Sequence, residues 1–181
     1  WMGAWTTNAD NVVGGISGEK GSYLVGSSKN TKNFKCSWTV GGANSDETFH
    51  GIINDWATSG KSYTGTTSII KVGTGLWRLN GDNTYSGATS INEGTLIVNG
   101  NNSGKGAMTV ADGATLKGKG SVKGKITVNG GGTLCPGDEG VDGSHLTATG
   151  GLALNSGSKL VIPVAEGEDG AIILNGISVA G

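Results

Sequence analysis

The chain has 181 residues, a length for one domain, with 36 Gly against 2 Pro, 35% hydrophobic and 15% charged residues. Glycine without a three-residue period excludes collagen, low charge excludes the usual disordered composition, and the thin apolar fraction suits an elongated β structure of short strands and tight corners. A formal net charge of −1 offers no field for a phosphate backbone, so no nucleic-acid partner is expected.

Taken in chain order, the opening "WMGAWTTNAD" has neither a basic flank nor a long apolar stretch, so it does not read as a signal peptide, and the chain reads as a piece of a longer protein. No apolar run approaches the about 20 residues that span a bilayer, so no membrane insertion by this segment is expected. The first third contains "SYLVGS" (22–27), "FKCSWTV" (34–40), "ETFHGIIND" (47–55) and "TSIIKVG" (67–73), strand-like runs rich in aromatic and β-branched residues. Residues 1–66 are read as irregular β coils or a cap-like N-terminal part, and 67–181 as regular coils.

The regularity lies in self-similarity. "GTGLWRLNG" (73–81), "NEGTLIVNG" (92–100), "DGATLKGKG" (112–120), "GGGTLCPGD" (130–138) and "SGSKLVIPV" (156–164) align. Their marker leucines are Leu76, Leu96, Leu116, Leu134 and Leu160, which recur with a period of about 20 residues that lengthens at the last step. Between them fall shorter pulses: "TSIN" (89–92), "AMTV" (107–110), "KITV" (125–128) and "LAL" (152–154). A strand of four or five residues offers too few inward side chains for a core of its own. Stacked at about 4.8 Å, such strands bury their apolar positions against the coils on either side. The expected fold is all-β: a single-stranded parallel β-helix, a solenoid with coils of about 20 residues. The corners "NEG", "ADG", "NGG" and "NSG" supply residues that tolerate the left-handed conformation. The rival reading, calcium bound by Asp82, Asp112 and Asp138, lacks the nonapeptide ligand pattern.

"TSIIKVGTGLWRLNGDNTYSGATSINEGTLIVNG" resembles the passenger-associated β-strand repeat of autotransporters, found in surface proteins of Gram-negative bacteria including Bacteroidetes. The family pattern falls on Lys71, Gly73, Gly75, Leu79, Gly81, Asn83, Tyr85, Gly87, Ile91, Gly94, Thr95 and Leu96. The following "GAMTVADGATLKGKGSVKGKITVNGGGTLCPGDEG" is similar to the usual sequel, which runs into a "G-T-L-x-P-G" corner; the family commonly has a small residue where Cys135 stands. The resemblance covers about residues 34–165. It implies a right-handed helix, secreted and displayed at the cell surface, acting as stalk or scaffold and aiding export by folding early. It is specific for architecture and says little of activity, because the repeat is shared by passengers of many functions.

Candidate sites are few. Trp38, Trp56 and Trp77 could stack on sugars, which keeps open a carbohydrate-binding module, or a non-catalytic part of a polysaccharide-degrading protein, as an alternative to the structural or adhesive segment. Host or environmental glycans, or surface proteins, are then the partners to expect, and a cut solenoid invites end-to-end self-association. A glycosidase needs two carboxylates at a set separation. Asp46, Glu47 and Asp55 form one acidic neighbourhood, while Asp138, Glu139, Asp142 and Glu166, Glu168, Asp169 sit in Gly-rich loops, and His50 and His145 lack a nucleophile context. No enzyme, no cofactor and no metal is expected. Cys36 is in phase with Phe34, Trp38 and Val40 on an apolar face, whereas Cys135, before Pro136, is expected to point outward at a turn, so no disulfide is expected to join them.

Overall fold

The computed structural model describes residues 2–3, 9–26, 34–55, 65–137, 144–162 and 177–179. Among these the chain is all-β, and every ladder joining the named strands is parallel. Successive strands pair not with their chain neighbours but with the equivalent strand one coil away, so three faces recur along one axis. This is a parallel β-helix.

The first face is an eight-stranded sheet made of Ala9–Val13, Phe34–Val40, Gly65–Lys71, Thr89–Ile91, Met108–Val110, Ile126–Val128, Leu152–Leu154 and Ile177–Val179. The second face stacks Glu47–Phe49, Leu76–Leu79, Thr95–Val98, Thr115–Gly118, Thr133–Pro136 and Lys159–Leu160. The third runs through Met2–Gly3, Tyr23–Val25 and Ile52–Asn54, then Asn101–Asn102, Ser121–Val122 and Thr147–Ala148, with a bridge from Asn83 to Asn102 where one coil has no strand. In the middle, Ile69 pairs with Thr89, Thr89 with Met108 and Met108 with Ile126, which is the short, regular coil read from the leucines. Ala9 pairs with Cys36 and Phe34 with Gly65, so the coils before residue 67 are longer, yet they lie in the same sheets.

Strand alternation sends every second side chain inward, where it meets its counterpart on the next coil. Trp38, Ile69, Thr89, Met108, Ile126 and Leu152 form one such row on the first face. Leu96, Leu116, Leu134 and Leu160 form the row of the second face, and their partner on the preceding coil is Trp77, not Leu76, which pairs with Thr95. The indole therefore occupies the aliphatic row, and the step there is one position shorter than the leucines alone indicate. Ile69, Ile91, Leu96, Met108, Val110, Leu116, Ile126 and Val128 are all fully buried. No coil could bury them alone; the core exists only along the stack.

The corners between first and second faces carry the turn chemistry read in the sequence. Gly94, Gly113, Gly131 and Gly157, the last residues of "NEG", "ADG", "NGG" and "NSG", all have positive φ, between 64° and 80°. Two of them separate backbone conformation from packing. A Cβ on Gly94 would lie 2.4 Å from the Gly73 carbonyl oxygen of the coil beneath, whereas one on Gly113 would meet nothing within 4 Å. We expect Gly113→Ala to cost about 1–2 kcal/mol from left-handed backbone alone, and Gly94→Ala clearly more. Denaturant unfolding of the two variants reads the difference; equal losses would mean that coils relax apart at this corner without penalty.

Candidate functional site

The residues that carry the repeat pattern converge on one stretch of the helix interior, from Lys71 to Asn102. Lys71 ends the strand Gly65–Lys71 of the first face on an inward position, between Val40 and Ile91. It is 1% exposed. Its stem fills the aliphatic row, and its ammonium bends into the corner and donates to the carbonyl oxygens of Val72 and Gly73, each at 2.7 Å, and of Glu93 at 3.3 Å. The left-handed Gly41 leaves it room, since a Cβ there would sit 3.2 Å from Nζ. Burial pulls the Lys71 pKa down, with the Glu93 and Asp46 carboxylates pushing the other way. The Glu93 carboxylate also accepts from the Gly73 amide at 3.1 Å. Lys71 thus satisfies carbonyls at the point where the first-face ladder stops and the second has not begun.

Asn83 does the same where the third face lacks a strand. Fully buried, it accepts from the Ile53 amide of the preceding coil at 2.8 Å and donates to the Gly81 carbonyl at 3.0 Å, while its own amide donates to Asn101 on the following coil at 2.8 Å. Tyr85, also buried, shares a 2.7 Å hydrogen bond with the Thr89 hydroxyl and accepts one from Asn102 Nδ2 at 3.0 Å. Burial raises the Tyr85 pKa, and the two hydrogen bonds act against that rise. Two coils are tied through this chain of side chains. Asn102 Oδ1, buried beside it, finds no partner among the described residues.

The remaining pattern residues serve close packing. A Cβ on Gly75, Gly81 or Gly87 would fall 1.8 to 2.3 Å from a carbonyl oxygen of the coil beneath. Leu79, Ile91 and Leu96 are core, and Thr95 is half-buried in the second-face ladder.

The tryptophan reading needs correction. Trp38 and Trp77 are 4% and 1% exposed, and the Trp77 indole donates to the Ile16 carbonyl at 2.9 Å. Both stand on inward strand positions, so neither ring presents a face on which a sugar could stack; Trp56 lies outside the described residues. Cys36 is buried as expected, but so is Cys135, at 5%. Cys135 does alternate with inward Leu134, yet it is paired on its outer row with Lys117, and Ile97, between Arg78 and Lys117 on the same row, is also 4% exposed, so long side chains on this row go with buried neighbours. Both thiols are free.

The carboxylates of the first acidic neighbourhood are engaged by backbone or by a neighbouring hydroxyl. Asp46 accepts from the Leu76 amide at 2.8 Å, and Asp55 from the amides of Thr67 and Ser86 at 2.7 and 3.0 Å. Glu47 accepts from the Ser45 hydroxyl, and His50 hydrogen-bonds Asn80 at 3.3 Å. Asp46 and Asp55 each bridge one coil to the next. Asp138, Glu139, Asp142, Glu166, Glu168 and Asp169 lie outside the described residues. Sequence reasoning missed the inward placement of Lys71 and the inter-coil role of Asp55. The only signal for the first was its even spacing from Thr67 and Ile69 on one strand face.

Comparison with known proteins finds its matches over the same part of the chain. The model of the Passenger-associated-transport-repeat matches residues 69–98 and 93–117, the stretch that contains Lys71, Asn83 and Tyr85. A relative, the Adhesin BmaC autotransporter of Brucella suis biovar 1 (strain 1330), is 37% identical over 100 residues, 53% of this chain. The chain spans about 3% of the length of that relative.

Two tests follow from the buried groups. Tyr85→Phe should lower stability by about 1–3 kcal/mol, because Thr89 and Asn102 lose a partner inside the core; an unfolding midpoint unchanged from the parent would mean water replaces the hydroxyl. Burial raises the Cys36 thiol to about 11 from its ordinary 9.0, against a hydrogen bond from Asn11 and with a smaller push from Asp10. The unfolded thiol ionises first, so its contribution is whole below pH 9 and is lost as pH climbs from 9 to about 11. Relative to Cys36→Ala, the parent should lose about 2–3 kcal/mol across that window. Parallel stability-against-pH curves for the two would refute it.

Proposed function

We propose that this chain, whose residues 69–98 and 93–117 match the model of the Passenger-associated-transport-repeat, is a non-catalytic scaffold segment of an adhesin-type autotransporter passenger, secreted and displayed at the surface of a Gram-negative bacterium. It extends and stiffens the passenger, holds recognition surfaces away from the membrane, and supports export by folding into coils that template the next. The observation behind this reading is that the buried polar residues of the repeat bind only backbone or side chains of their own and neighbouring coils. Lys71, Asn83 and Tyr85 are each at most 1% exposed, and their bonds join the loop at 72–73 to Glu93, Ile53 to Gly81, and Thr89 to Asn102.

A ladder of this kind has a mechanical consequence. Each coil adds hydrogen bonds parallel to the axis and a layer of core, so stability grows with the number of stacked coils and one broken coil weakens its neighbours. Polypeptide leaving a pore one coil at a time would find an edge on which to fold.

The test is a Lys71→Met, Tyr85→Phe variant placed in the full-length parent and expressed on cells. Protease-resistant passenger at the surface should fall several-fold, with adhesion per displayed molecule retained. Normal display with adhesion abolished would instead make this stretch a recognition site and overturn the scaffold reading.

A further inference from the structure

The corner that leads from the third face back to the first carries a charge pattern that the scaffold role leaves unused. Gly106 stacks on Gly87 and Gly124 on Gly106 so closely that a Cβ on either would fall 1.8 Å from the carbonyl oxygen beneath. The preceding residues, Ser86, Lys105 and Lys123, therefore occupy one position on three successive coils, at about 4.8 Å per step. The row continues in both directions. A Cβ on Gly87 would likewise fall 2.2 Å from the Thr67 carbonyl oxygen, and Ile69 pairs with Thr89, which together set Thr66 beneath Ser86; Lys35 pairs with Thr66. Thr149 N donates to Val122 O, which sets Thr149 above Lys123. Read along the axis, the edge is Lys35, Thr66, Ser86, Lys105, Lys123, Thr149, and Lys125 stands beside it, two positions beyond Lys123. Ser86, Lys105, Lys123, Lys125 and Thr149 are exposed. Every side chain on this edge can donate a hydrogen bond and none is a carboxylate.

Among the described residues, acids cluster elsewhere in the cross-section. Asp46, Glu93 and Asp112 sit at the corner between first and second faces. Asp55, which meets this edge at Ser86, is held by the amides of Thr67 and Ser86. Among the described residues, a chain of net charge −1 thus keeps a local cationic edge, which recurs because the coil period returns the same corner to the same side.

We infer that this edge binds a linear sulfated glycan lying along the helix axis. Ammonium groups on successive coils meet successive anionic groups of a chain running in the same direction, and the hydroxyls of Ser86 and Thr149 add neutral donors for sulfate and sugar oxygens. A duplex nucleic acid would need a broad basic field, which one edge does not offer. A lipid surface would be held by apolar side chains inserted beside the cations, and the row has none. The partner so identified deepens the adhesin-type reading above and rests on it for access to the outside of the cell; the binding itself does not.

The experiment uses the whole chain described here on immobilised heparin, with fully desulfated heparin and phosphatidylglycerol vesicles as parallel arms. Binding to heparin is expected, weakening steeply as ionic strength rises through about 0.1–0.2 M. Lys105→Gln, Lys123→Gln should weaken it about tenfold or more, a loss of the size that removing two close charge contacts brings. The control pair Lys20→Gln, Lys159→Gln, equal in charge change and off this edge, should leave it within about twofold, as distant screened charges do. Circular dichroism and protease resistance of both variants should match the parent. No binding to heparin, equal loss in the control pair, or equal binding to desulfated heparin or to vesicles would overturn the inference. None of those results would touch the display test of the scaffold, so the two readings fail separately.

Discussion

One constraint governs this structure: a short strand with three faces to the coil has no partner within its own coil for its backbone amides and carbonyls. The only groups that can satisfy them are on the coils before and after, at the same point of the turn. Parallel stacking follows, and with it the rows of like residues, the core that exists only between coils, and the need for glycine where carbonyls crowd a corner. It also explains why the buried polar residues sit where ladders are interrupted. Lys71 stands at the break between two faces and Asn83 at a missing strand. Each substitutes side-chain groups for the backbone partner that geometry withholds.

The same constraint separates what is legible in the sequence from what is not. The coil period is legible because Leu96, Leu116 and Leu134 must fall on one row, and the corners because "NEG" and "ADG" end in residues that accept positive φ. The preceding coil is where residue identity misleads: following leucine leads to Leu76, whereas the register places Trp77 on the row. A periodic pattern fixes spacing more firmly than side-chain identity, since the interior accepts any apolar group that fills the layer. Trp38 shows the same thing from the other side. Its phase with Cys36 and Val40 points inward, and an inward indole is core before it is a platform.

Cys135 and Lys71 are harder to read, for a shared reason. Alternation tells which way a side chain starts, not where it ends or what lies over it. Cys135 starts outward, paired with Lys117 on the coil beneath, and is nonetheless buried. Lys71 starts inward and delivers its charge to a corner by way of a flexible chain. In both cases the outcome depends on neighbours one coil away, which the alternation of a single strand does not reveal.

A solenoid also organises its surface without spending core on it. Inward positions are constrained by the stack, but outward ones are free to vary coil by coil while their spatial alignment is guaranteed. A single lysine on a globular surface is an isolated charge. Here Lys105 and Lys123 are a full coil apart in sequence and adjacent along the edge, because the period that builds the core repeats the corner that carries them. Adding one coil with a lysine at that position would lengthen the cationic edge by one step and leave the interior unchanged. Recognition of long, repetitive partners is then reached by changing surface residues on a fixed frame, which is a physical reason for one repeat to serve passengers with unlike ligands.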